Sequence, residues 1–179
     1  MNPIGLSRRT LAVAACSVFM LLALPGWGQT AAAPQRIGVY DSRAVAVAYG
    51  GSAFKDQRLQ ALKAQHQQAQ QAGDTAAMAR LQAEGRAWQA QLHQQAFGTA
   101  PVDDILLHIA AGLPAIQQAA GVTRLVSKWN RAELDQLAHA EQVDLTMALV
   151  DALHPTAKQR KYAQDIQAQP PRGVPGAKP

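Results

Sequence analysis

Between residues 54 and 96 the apolar positions keep a helical rhythm on both sides of one break. Leu59, Leu62, His66 and Ala69 are spaced 3-4-3, Gly73 and Asp74 interrupt, and Met78, Leu81, Gly85, Trp88 and Leu92 resume as 3-4-3-4. That spacing predicts an antiparallel coiled-coil hairpin. Folding the chain back at Gly73 sets Ala69 opposite Met78, His66 opposite Leu81, Leu62 opposite Gly85 and Leu59 opposite Trp88, so large faces small mid-seam. Ser52 is placed to cap the first helix, Gly73 suits a left-handed helix terminus, and Asp74 or Thr75 caps the return helix, which ends near Phe97. At about 1.5 Å per residue, each helix is roughly 30 Å long. A narrow seam encloses no pocket, which points to holding, spacing or gripping other macromolecules and away from catalysis.

Strand-like patterns flank the hairpin. RIGVY at 36–40 is a short strand candidate, with Asp41 or Ser42 capping a helix over 43–49 that Gly50 and Gly51 end. VTRLVSKW at 122–129 is rich in β-branched residues and bounded by turn formers, the strongest strand signal in the chain. Between them a third helix opens after Pro101, with Asp103 and Asp104 opposing the helix dipole and Ile105, Leu106, Ile109, Leu113 and Ile116 on its apolar face. Gly112 and Pro114 should kink or restart that helix. Residues 130–139 read equally as a strand or a short helix. Asp144 caps a helix carrying Leu145, Leu149 and Leu153, a last helix covers 156–167, and the Pro/Gly-rich segment 169–179 is expected to be disordered.

The amino terminus changes where such a body would reside. Arg8 and Arg9, an apolar run over 11–24 and small residues through Ala33 form the three-part layout of an export signal over 1–33. The apolar run is short for a bilayer span, which needs roughly 20 residues. SRRTL at 7–11 is similar to a twin-arginine signal, and VAAC at 13–16 to a lipoprotein box with Cys16 as the anchor, although the apolar run continues past Cys16. Cys16 is the sole cysteine, so cleavage leaves no thiol chemistry and lowers the formal charge from +5 to +3. A mildly basic exported protein has no use for nucleic acid. It favours acidic envelope surfaces or acidic client segments.

RIGVYD at 36–41, a long polar helical hairpin, GVTRLVSKW at 121–129 and VDLT at 143–146, in that order, resemble the Skp/OmpH family of periplasmic chaperones. The resemblance implies an α+β, predominantly α fold: a small β-containing body with a protruding antiparallel helical hairpin, in a single domain over 34–168. It further implies a homotrimer, with Ile37, Val39, Leu125, Val126 and Trp129 in the assembling body. The arms would hold unfolded outer-membrane or envelope proteins without nucleotide. The arm here is shorter and richer in Gln and Ala than the resemblance implies, which suggests a smaller cavity or a different oligomer. An envelope adaptor, whose hairpin docks one specific partner, fits the same pattern.

Candidate chemistry is sparse. Arg58, Lys63, Arg80 and Arg86 give the arm cations for client contact or simply a solvated face. The Gln cluster at 65–71 offers weak multivalent grip or plain helix solubility. His66 would be a charge-sensitive point in the seam. Asp104 and His108, four residues apart, share a helical face that can hold a metal only with a third ligand, and none stands at a suggestive spacing. Lys158, Arg160, Lys161, Arg172 and Lys178 make a thinly spread basic region with weak affinity for a membrane surface. No phosphate loop, nucleophile elbow or zinc motif is present, so catalytic, cofactor and metal sites are all expected to be absent.

Overall fold

The computed structural model describes residues 35–172. The expected export signal and possible Cys16 anchor lie outside them, as does the tail beyond Arg172. The chain is mostly helical around a three-stranded parallel sheet of order β2-β1-β3, with β1 (Arg36–Tyr40) between β2 (Leu125–Ser127) and β3 (Glu141–Asp144). Gly38 pairs with Leu125 on one side and Val143 on the other. A Cβ on Gly38 would stand 2.6 Å from Leu145 Cδ1 and 2.8 Å from Leu125 Cδ2. The central strand therefore needs glycine for space, because two leucines close directly over it.

Helix α1 (Ser42–Tyr49) follows β1 at once, with Asp41 as N-cap accepting from the Arg43 amide. Apolar nearly all round, α1 is buried along its length except for half-buried Val47, as such a helix must be. Around it pack α3 (Thr75–Phe97), α7 (Thr146–Ala152) and α8 (Ala157–Asp165). Val45, Tyr49, Val102, Ile105, Leu149, Val150 and Leu153 fill the core between them.

The hairpin consists of α2 (Ala53–Gln71) and α3, joined by a turn in which Gly73 has φ +66° and Asp74 caps α3 through the Ala77 amide. Ser52 does not cap α2, since its hydroxyl donates instead to the Tyr49 carbonyl at 2.8 Å. The arm's root is part of the body: Trp88 is buried, and Phe54, Leu59, Leu62, Leu92 and Ala96 pack against the core cluster.

Of four other expectations, the strand over 122–129 and the start of the tail are corrected, the open reading of 130–139 is resolved, and the restart at Gly112 and Pro114 holds. The strand expected over 122–129 contracts to Leu125–Ser127, so Trp129 sits in the turn that follows. Residues 130–139 resolve to helix α6 (Arg131–Gln136), which Asn130 caps by accepting from the Glu133 amide. The third helix is broken into α4 (Asp103–Leu106), a 3₁₀ turn and α5 (Leu113–Ala120), with Pro114 in the first turn of α5. The start of the expected disordered tail is in place: Arg43 Nη1 donates to Gln169 O at 2.8 Å, Pro171 is buried, and the Arg172 amide donates to Phe97 O at 2.7 Å. Buried Arg43 and the Phe97 carbonyl supply partners that composition alone does not reveal.

Candidate functional site

Two regions hold the chain's concentrated chemistry. The first lies beyond the carboxyl ends of the three parallel strands, where sheets of this kind commonly form ligand crevices. Asp41 follows β1, Lys128 and Trp129 follow β2, and Thr146 follows β3. Asp41 and the Arg43 side chain are fully buried. Oδ1 of Asp41 accepts from Arg43 N (3.0 Å), Arg43 Nε (3.1 Å) and Trp129 Nε1 (3.0 Å). Oδ2 accepts from Arg43 Nη2 at 2.9 Å and lies 2.7 Å from Lys128 Nζ. The Asp41 amide donates to Thr146 Oγ1 at 3.0 Å, and the Arg43 and Lys128 cations lie 4.6 and 4.8 Å from the centre of the Trp129 ring.

Burial alone would raise the Asp41 carboxyl's pKa, but the hydrogen bonds from Arg43, Lys128 and Trp129 and the Lys128 charge outweigh it and hold the group below its usual range. A carboxylate saturated in this way has no lone pair free to take a substrate proton. Neighbouring Tyr40 is pushed up to about 12 by burial and by the Asp103 and Glu133 charges, so it stays protonated. The cluster is a structural tie that fastens the ends of β1 and β2, the start of α7 and, through Arg43, the C-terminal segment.

Local pattern marks Asp41 as a helix cap and does not announce this tie. The signal was a register: Tyr40 pairs with Ser127, so Asp41 and Lys128 are the next residues on two paired strands and carry opposite charges.

The second region is the arm. All nine seam residues (Leu59, Leu62, His66, Ala69, Met78, Leu81, Gly85, Trp88 and Leu92) are buried or half-buried, and every other residue between 57 and 92 except Ala77 is exposed. Across the hairpin, Gln82 Nε2 lies 3.5 Å from His66 Nε2, and the Arg58 guanidinium covers the Trp88 ring at 4.7 Å. One side of the seam is open. There a groove of about 380 Å³ has Leu59, Leu62, Trp88 and Leu92 as its floor. Gly85 makes the space, since a Cβ built on it would meet nothing within 4 Å. Lys55, Lys63, His66 and Gln89 form the rim, and no carboxylate lines the groove.

The expected client cations thus divide. Lys63 lines the groove, Arg58 is committed to the Trp88 face, and Arg80 and Arg86 are exposed elsewhere on α3. Lys55, not singled out beforehand, joins the rim, with Asp56 Oδ1 at 3.5 Å. Asp104 and His108 diverge in use: Asp104 accepts from Gln91 and Gln95, while the His108 ring stacks on Tyr49 and Phe54 at 5.3 and 5.0 Å. Of the expected assembling residues, Ile37 and Val126 are spent inside the chain's own core, and Val39, Leu125 and Trp129 are half-buried.

Among the described residues no helix is long and apolar enough to cross a membrane, and no three His, Cys, Asp or Glu side chains gather as a metal-binding group. Comparison with protein-family models, curated proteins and solved structures finds no match in any of the three.

Proposed function

We propose that this protein is an ATP-independent holding chaperone of the bacterial periplasm, one that grips unfolded outer-membrane or envelope proteins through its helical arm. The observation that carries this reading is the open groove on the arm: an apolar floor of Leu59, Leu62, Trp88 and Leu92 under a rim with two lysines and no carboxylate. Burying one client leucine or phenylalanine there contributes about 1.5–3 kcal/mol, enough for reversible grip and too little for a permanent complex. Several arms acting on one client raise the avidity without tightening any single contact, which is how a homotrimer of the Skp/OmpH type would use it. The layout of residues 1–33 and the strand–hairpin–strand order support the same reading.

The purified protein, in several-fold molar excess and without nucleotide, should suppress aggregation of an unfolded outer-membrane β-barrel diluted from denaturant. No suppression would overturn the proposal. Capture of one folded partner at fixed stoichiometry, with no suppression, would assign the arm to an adaptor instead. Light scattering reads the assembly: a trimeric mass supports shared gripping by several arms, and a monomeric mass removes it.

A further inference from the structure

Leu92 is the last α3 residue lining the arm groove. That residue also lines a second cavity, of about 580 Å³, bordered by α1, α3 and α8. Both α3 and α8 pack on α1, and the cavity lies between them with Val47, Ala96, Phe97 and Ile166 among its walls. Gly85, Trp88, Leu92 and Ala96 recur every three or four residues, so one stripe of α3 serves both hollows. From Gly85 to Ala96 that stripe runs roughly 17 Å at about 1.5 Å per residue, the span of about five residues of extended chain.

The two ends of this track differ in charge. In the arm groove Lys63 stands at the Gly85 end and Lys55, with Asp56 Oδ1 at 3.5 Å, stands level with Leu92, and no carboxylate is in the lining. At the far end Asp165 is already paired with Lys161 at 2.8 Å. Side-chain amides stand along both hollows, Gln89 over the first and Gln159 and Gln169 over the second. Such amides match the N–H and C=O groups of an extended peptide, whereas an alkyl chain would leave them unpaired.

We infer that the two hollows form one track for an extended polypeptide segment of about five residues with apolar side chains at alternate positions, its acidic end lying over Lys63 at the Gly85 end. This rests on the client-holding reading and gives it a register and a direction. The occupant's alternate side chains enter the hollows, its main chain meets the glutamines, and its terminal carboxylate side chains lie against Lys63.

The test is fluorescence anisotropy of the purified protein with two labelled nonapeptides that share an alternating Leu/Phe core, one flanked by Glu and one by Lys. The Glu-flanked peptide should bind about tenfold tighter, a difference that collapses near 0.5 M salt as exposed charges are screened. Gly85→Leu fills open space on a helix and adds a better helix former, so it should fold at least as well as the parent. It should nevertheless weaken the Glu-flanked peptide about tenfold, the worth of roughly one lost apolar side chain. His93→Trp, an exposed change on the second hollow's rim, should weaken the same peptide severalfold, and Lys63→Glu should abolish the preference for Glu flanks.

Equal binding of the two peptides overturns the track, as does undiminished binding by Gly85→Leu. Palmitate binding that Gly85→Leu abolishes while peptide affinity is untouched also overturns it and makes the groove a lipid site. Aggregation suppression separates the two levels. If the parent and Gly85→Leu suppress equally well, the track falls while the holding reading stands, and if the parent does not suppress, that reading falls too.

Discussion

At the carboxyl end of β1, Asp41 receives four N–H donors and the Lys128 ammonium within 3.1 Å. On the arm, Lys63 forms no ion pair with any described residue, Lys55 has Asp56 Oδ1 at 3.5 Å, and Arg58 lies over the Trp88 face. The first region's carboxylate is buried and saturated, and the second region is open, apolar-floored and cationic. Position alone favours the first, since the carboxyl ends of parallel strands are where ligands usually bind. Satisfaction of the polar groups reverses that judgement. A carboxylate with every acceptor position engaged does structural work, whereas cations beside an unfilled apolar groove leave binding capacity unspent.

The largest effect expected from this contrast is at Asp41. Asp41→Ala removes the counter-charge from a fully buried guanidinium and should cost about 3–5 kcal/mol in denaturant unfolding. A loss below about 1 kcal/mol would show that the tie contributes little to stability. The same group sets an acid dependence. Because its folded pKa is depressed, its stabilisation is complete above the unfolded value of about 4 and is lost as pH falls through the lower folded value. Stability of the parent should therefore decline more steeply below about pH 4 than that of Asp41→Asn.

Trp129→Phe tests the tie more gently. It keeps a smaller aromatic face for Arg43 and Lys128 and deletes the indole N–H that reaches Asp41 Oδ1. A loss of about 1.5–3 kcal/mol is expected from thermal or denaturant unfolding, the worth of one hydrogen bond to a charged acceptor. Binding of the Glu-flanked peptide should not move, and a change there would couple two regions that the comparison separates.

How much of this was legible follows from the range of the interactions. The arm's seam, the Gly73 terminus and the Asp74 cap depend on residues within a turn or on a repeating period, and sequence displays both. The alternation in β1 is local too. The β3 strand is different: Glu141, Gln142 and Asp144 are exposed and weak strand formers, and the segment is extended because β1 offers it a ladder. Asp41 and Trp129 meet across 88 positions of chain, so neither residue's neighbours announce the bond. The groove was invisible for another reason. The pattern placed Gly85 opposite Leu62 as small against large, but the hairpin does not close over it, and the glycine leaves space in place of a filled contact.

Two glycines allow the comparison to be broken with one kind of substitution. Gly38 lies in the central strand with the Leu145 and Leu125 side chains 2.6 and 2.8 Å from where a Cβ would be, whereas Gly85 lies in α3 with no atom within 4 Å. Gly38→Ala must push two leucines aside and should destabilise by about 1–3 kcal/mol. Gly85→Ala relieves the entropic cost of glycine in a helix and should stabilise by up to about 1 kcal/mol. Denaturant midpoints at equal slope would read both, and opposite signs are the expected result. A destabilising Gly85→Ala would mean that the hairpin closes more tightly in solution than the open groove requires. The methyl group reaches only part of the space that a leucine fills, so Gly85→Ala should lower peptide affinity less than Gly85→Leu does. Graded loss with side-chain volume at position 85, accompanied by rising stability, is the behaviour of a groove kept open for a ligand at the expense of the helix that lines it.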